Sequence, residues 1–370
     1  MKKSISKILC AALAAALVIP SFAADSQMQE ETKVLEEVSV ADSQVLDEVE
    51  ISEEPIVPLS DEPHVYTALP GTEEWVEMTP RERRASCAVS KEEVEGMTTR
   101  ALVETVVNYP YLINMYAYDK FDMGVQAVAE SFPGLKELLS REDAGTALAE
   151  YENERVRLRS TDSVDRVGSQ IRDASALRAY LEKLSEQKGD SRATRTIRTP
   201  KGTRITVRYN MSWAEWSVYA GVGHTVNMDE MYDEVEDFCA AYPEAEYLSS
   251  SSPSPKYNCH SYAWYSTDTS NKYWMEDPSA YMTDGSYVRA TPDEGCRVAY
   301  RETNGTYRHS GIVTSVSGGV TTVESKWGAL GVFSHAIDDC PYVGQDGAGF
   351  DDPEDGVGNV SVIVSCWELA

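Results

Sequence analysis

The sequence is short of positive charge. Its 370 residues hold 33 Lys and Arg against 61 Asp and Glu, a formal charge of −28. Duplex DNA binding needs a basic face that releases counterions, and docking on anionic lipid needs a polybasic patch. Neither is expected here. Long apolar runs are also scarce: Ile8 to Ile19 is too short to span a membrane, and no later stretch reaches the roughly 20 residues required. None of the seven cysteines forms a C-x-x-C pair, so zinc fingers are not indicated. No internal repeat, close pair of metal ligands or cofactor signature occurs, and no metal or cofactor is expected.

What is present divides by position. Residues 1–24 begin with Lys2, Lys3 and Lys7, continue in the apolar run and end at Pro20-Ser21-Phe22-Ala23-Ala24. This is the pattern of a secretory signal peptide, so the chain is expected to be exported, secreted or cell-wall associated. Residues 25–62 carry thirteen acids and one base, Lys33, with no glycine. Residues 25–85 are expected to be an acidic, disordered linker or pro-segment, broken by Pro55, Pro58, Pro63 and Pro70. From 86 to 190 the apolar spacing of three and four predicts a small all-α unit, with capping-box spacing at Ser90–Glu93.

At Thr196 the period changes. Thr196–Thr199 and Thr203–Tyr209, joined by Pro200-Lys201-Gly202, read as a hairpin. A helix is expected from Met228 to Ala241, and strands over Ile312–Val316, Val320–Trp327 and Val360–Trp367. Residues 191–370 therefore read as an α+β domain, within which residues 225–370 hold 24 acids against 7 bases. Such a domain is repelled by anionic polymers, so charge is not how it captures a wall substrate.

Six cysteines remain beyond the signal segment, and Cys259 has the most distinctive surroundings. It leaves a Ser/Pro loop and opens a segment able to form a helix, Cys259–Trp264. Amide donors at such a position favour a thiolate over a thiol with an ordinary pKa of about 8.5, and they stabilise an oxyanion. His309 begins a later strand and is the expected general base. With a two-residue turn at Gly318-Gly319, odd positions of the first strand share a face with even positions of the second. Glu324 then faces His309 and orients it; a three-residue loop would reverse this. His335 is the best substitute for His309 or for the orienting group. His260 adjoins Cys259 but points elsewhere on a helix. A Cys259/His309/His335 zinc site lacks ligand spacing. Tyr257, Tyr262 and Trp264, with other nearby aromatics, read either as a substrate groove or as an aromatic core. The acidic loop Asp346–Asp355 lacks the order of an EF-hand, although calcium there stays open.

Tyr257-Asn258-Cys259-His260-Ser261-Tyr262-Ala263-Trp264, followed by His309-Ser310-Gly311-Ile312-Val313 and Glu324, resembles the papain-like NlpC/P60 and CHAP superfamily of cell-wall cysteine hydrolases. The resemblance covers about residues 250–330. It implies a helix carrying the Cys packed on a small antiparallel sheet, with Cys259 as nucleophile, His309 as base and Glu324 as orienter. The implied activity is hydrolysis of amide bonds, with a cell-wall or other peptide as substrate. His260-Ser261 stands where NlpC/P60 members have Ser-Gly, and Ser325-Lys326-Trp327-Gly328 departs from both groups. The competing expectation is a non-enzymatic, secreted binding or surface-interaction protein on a degenerate scaffold of the same kind.

Overall fold

A computed structural model describes residues 59–158, 164–183, 194–344, 347–350 and 361–370. The expected signal segment and most of the acidic block lie outside these residues, as do Asp346 and residues 351–355 of the acidic loop. Residues from Val57 to Ala370 gather into one compact body.

Order begins earlier than the sequence suggests. Helices α1 (Glu73–Glu77) and α2 (Pro80–Ser86) occupy part of the stretch expected to be linker. Thr72 caps the first, and a Thr79/Glu82 capping box starts the second. Pro80 sits at the start of α2, where its missing N–H costs nothing, so it opens a helix instead of breaking one. Trp75 is fully buried, and its indole donates to the Ala241 carbonyl at 3.1 Å.

Six more helices follow: α3 (Lys91–Glu95), α4 (Thr99–Val107), α5 (Phe121–Ser131), α6 (Pro133–Ser140), α7 (Ala144–Leu158) and α8 (Val164–Lys183). A 3-10 turn, Leu112–Tyr116, links α4 to α5. Strands β1 (Thr194–Arg198) and β2 (Arg204–Tyr209) form the expected hairpin. Next come α9 (Trp213–Ala220), α10 (Met228–Ala241), β3 (Glu246–Tyr247), α11 (Cys259–Trp264), β4 (Tyr273–Trp274) and α12 (Ser279–Thr283). The remaining strands are β5 (Tyr287–Ala290), β6 (Arg297–Glu302), β7 (Tyr307–Ser317), β8 (Val320–Lys326), β9 (Val332–Ala336), β10 (Ala348–Phe350) and β11 (Val362–Leu369).

The main sheet runs β10-β11-β6-β7-β8-β9-β3, with β5 also on β11, and β1-β2-β4 form a second, smaller sheet. All pairs in the main sheet are antiparallel except β10 with β11. With helices gathered in the first half and an antiparallel sheet in the second, the chain is α+β.

Alternation along the strands gives the main sheet two different faces. Val298, Tyr300, Val313, Val323 and Phe333 join a core that also holds Leu102 and Val106 of α4 and Phe238 of α10. Ala299 lies instead in a cluster with Ala263 and Trp264 of α11, and with Tyr281 and Met282 of α12. The helical half thus covers one face and α11 the other. One core runs across the boundary expected near residue 190. Among the described residues, no helix is long and apolar enough to cross a membrane.

Candidate functional site

Asn258 builds the local frame. Its side-chain oxygen caps α11 by accepting from the Ser261 amide at 3.2 Å, and also accepts from the Met275 amide at 3.1 Å. Its Nδ2 donates to the Met275 carbonyl at 2.6 Å and to Asp119 Oδ2 at 2.5 Å. Cys259 is thereby fixed at the first position of α11, where it is only 1% exposed. Burial pushes its thiol well above the ordinary value, and Asp119 adds to the rise. Backbone hydrogen bonds from Ser310 and His260, together with the Lys326 charge, act in the opposite direction. Ser310 lies just beyond the residues at which β7 pairs with β8, so its amide is available to the sulfur.

Lys326 and Asp119 are the partners that sequence reasoning missed. Lys326 ends β8, is fully buried, and donates to the carbonyls of Ser254 at 3.0 Å and Gly328 at 2.7 Å. Its ammonium stands 5.0 Å from the centre of the Tyr257 ring. Burial lowers it to about 7, against the opposing pull of Asp119 and Cys259. Asp119 comes from the connection between the 3-10 turn and α5, 139 positions before Asn258 in sequence. Burial raises its carboxyl to about 7, opposed by the Asn258 bond and by Lys326. Nothing local marks Asp119. Lys326 did carry a signal, as one of seven bases in an acidic half and within a run that departs from the family pattern.

The buried histidines differ in what their nitrogens do. His260 Nδ1 meets Ser310 Oγ at 2.8 Å, and that hydroxyl also accepts from the Trp264 indole at 2.8 Å. His335 Nδ1 donates to the Ala336 carbonyl while Nε2 accepts from Ser325 Oγ, both at 2.8 Å. Burial lowers each of these imidazoles to about 4. His335, expected to be the best substitute base, is therefore committed to structural bonds. His309 is fully buried, yet neither ring nitrogen has a hydrogen-bond partner, so it is bonded neither to Cys259 nor to Glu324. Its ring stacks on Tyr342 with centroids 3.6 Å apart and planes 8° from parallel. Burial holds it well below the usual histidine value, so it is a neutral imidazole. Tyr342 touches both sides of the site: its own phenol is raised by burial, then by the nearby Cys259 and Asp119.

Glu324 does not orient His309. The turn has two residues, as anticipated, and Ser317 pairs with Val320 and Ser315 with Thr322. Thr314 is then an extra residue, and pairing resumes as Val313 with Val323 and Ile312 with Glu324. This bulge reverses the parity. Glu324 shares a face with Ile312 and accepts from the Tyr262 hydroxyl at 3.4 Å, whereas His309 points from the other face. Tyr257, Tyr262 and Trp264, weighed as groove residues, are 2%, 7% and 3% exposed and act as core. The six described cysteines carry free thiols. Among the described residues, no group of three or more His, Cys, Asp or Glu is placed to hold a metal ion.

The stretch Ala117–Asp119 is tied to this site at both ends. Tyr342 donates to the Ala117 carbonyl at 2.6 Å, and Asn258 holds Asp119. Gly328 packs so tightly there that an added Cβ would stand 2.7 Å from the Ala117 oxygen.

Comparison with known proteins gives no identification: no family model, no curated protein and no solved structure matches the chain.

Proposed function

We propose that the chain is a thiol hydrolase of amide bonds on a papain-like scaffold, with Cys259 as nucleophile and His309 as general base. The observation that carries this reading is a buried cysteine on the residue that opens a helix, beside a strand whose buried histidine has both nitrogens uncommitted. No hydrogen bond joins the two in the described conformation, so the reaction needs them brought together; His309 then takes the Sγ proton and the thiolate attacks the carbonyl carbon. The proton passes from His309 to the departing amine, and water then hydrolyses the thioester to acid and free thiol. Stacking on Tyr342, instead of a carboxylate, sets the plane of the His309 ring. The resemblance to NlpC/P60 and CHAP hydrolases favours peptides of the cell wall as substrate, and the expected signal segment agrees with export.

The described conformation is a closed one. Cys259 has almost no exposure, so the residues around it must move for a carbonyl to reach it. Turnover of purified cell wall and of a γ-D-Glu-linked peptide, followed by amine release, tests the reading. The wild type should release amine and Cys259→Ala should not; equal turnover removes Cys259 from the chemistry. One observation favours the rival reading of a secreted, non-enzymatic binding protein: burial pushes the Cys259 thiol well above its ordinary range. In that case Cys259→Ala changes stability alone.

A further inference from the structure

The hairpin of β1 and β2 reverses the charge of the chain around it. Residues 194–209 carry the bases Arg195, Arg198, Lys201, Arg204 and Arg208, and no acid, in a protein of formal charge −28. An anion repelled by the rest of the surface is attracted here.

The two faces of the hairpin differ. Ile197, Ile205 and Val207 are buried in the cluster that holds Ala263 and Trp264 of α11. On the other face Thr196, Arg198, Arg204 and Thr206 are all exposed. Register places Arg198 directly opposite Arg204, and Thr196 directly opposite Thr206. Side chains so paired stand about 5 Å apart at Cβ, and like charges placed there destabilise the pair. Among the described residues no carboxylate pairs with either arginine. Arg198 donates to the Gly202 carbonyl of its own turn at 2.7 Å. The nearby acids are engaged elsewhere: Glu276 pairs with Arg208 at 2.8 Å, and Asp284 accepts from the buried Thr199 hydroxyl. Two opposed cations beside two hydroxyls are thus left facing solvent without an anion.

Donor count selects the anion. One guanidinium fork already matches the two oxygens of a carboxylate, whereas two guanidiniums and two hydroxyls suit the oxygens of a phosphate group. A lone phosphate on exposed arginines is held weakly, but a chain of phosphates rebinds through successive units. We infer that this face docks an anionic polymer of repeating phosphodiesters, with a phosphate seated between Arg198 and Arg204. β1 ends its sheet, so the polymer reaches the face without crossing another strand. The docking does not depend on the chemistry of Cys259.

The test is fluorescence anisotropy of labelled poly(glycerol phosphate) titrated with the full chain at pH 7. Binding should saturate, weaken as salt rises, and be about tenfold or more tighter than binding of poly-L-glutamate of equal length. Arg198→Glu should weaken it by about tenfold or more, yet leave the urea midpoint equal or higher, because attraction replaces repulsion across the strands. Arg204→Gln, which removes a charge without reversing it, should weaken it several-fold. Arg81→Glu with Lys136→Glu, two exposed bases of the helical half, changes the net charge further and should bind as the wild type does. Absence of saturable binding overturns the proposal and leaves the arginines as guards of an edge strand. Equal affinity for poly-L-glutamate, unchanged binding by Arg198→Glu, or an equal loss in the Arg81/Lys136 variant overturns it as well. Tighter binding to phosphatidylglycerol vesicles than to the polymer would assign the face to a membrane instead.

Discussion

Half-buried Asp119 and fully buried Lys326 are ionisable groups displaced toward neutrality from opposite sides, and each leaves its own mark on stability. The unfolded chain gives up the Asp119 proton near 3.8, whereas burial holds it to about 7 in the folded protein. Its contribution is full below about 4 and is lost as pH rises through about 7. Lys326 runs the other way: lowered from 10.5 to about 7 by burial, its contribution is full above about 10.5 and lost as pH falls through about 7. The unfolding free energy of the wild type relative to Asp119→Asn should therefore fall as pH rises from about 4 to about 7. Urea titrations across that range measure it, and a constant difference would show that Asp119 ionises as freely as in the unfolded chain. Thiol chemistry belongs to the same scale. Alkylation mapped by mass spectrometry should modify half-buried Cys239 before Cys259, because Cys259 is both enclosed and protonated.

At the scale of elements, the decisive pieces are a bulge and a covering stretch. Thr314 turns Glu324 away from His309, so Glu324→Gln should leave any Cys259-dependent turnover within about twofold of wild type. A loss comparable to that of Cys259→Ala would restore Glu324 to the chemistry. Gly328 has φ +50° and leaves no room for a side chain beneath the Ala117 carbonyl. Gly328→Ala should cost about 1–3 kcal/mol through overpacking. It should also displace the Ala117 carbonyl, and alkylation of Cys259 faster than in the wild type would show that residues 117–119 help to enclose the thiol.

For the whole molecule, the shared core implies that helices and sheet unfold together. Leu102, Phe238, Trp327 and Phe333 belong to one cluster, and Trp75 fastens the start of the described chain to the end of α10. Urea unfolding followed by fluorescence and by circular dichroism should give coincident transitions. Trp75→Ala should lower the midpoint of both by the same amount, at a cost of about 3–5 kcal/mol. Separate midpoints would mean that the helical half and the sheet are independent domains.

Local patterns alone determined much of this protein. The apolar spacing over Thr99–Val107 and Met228–Ala241, the hairpin around Pro200-Lys201-Gly202 and the Gly318-Gly319 turn each rest on neighbours within a few residues, and all were legible. So was the helix that Cys259 opens, whereas no hydrogen bond joins Cys259 to His309, the third residue of β7. The linker expected over residues 25–85 extended too far, because Thr72 and Thr79 cap two short helices within it. What surrounds Cys259 depends on contacts that sequence spacing does not encode. A one-residue bulge moved Glu324 to the other face, Asp119 arrived from the far half of the chain, and His335 and His260 were taken up by serines across the sheet. Hydrogen bonding and desolvation act through space, so only the tertiary structure could decide which charges meet the thiol and which histidine was left with its nitrogens free.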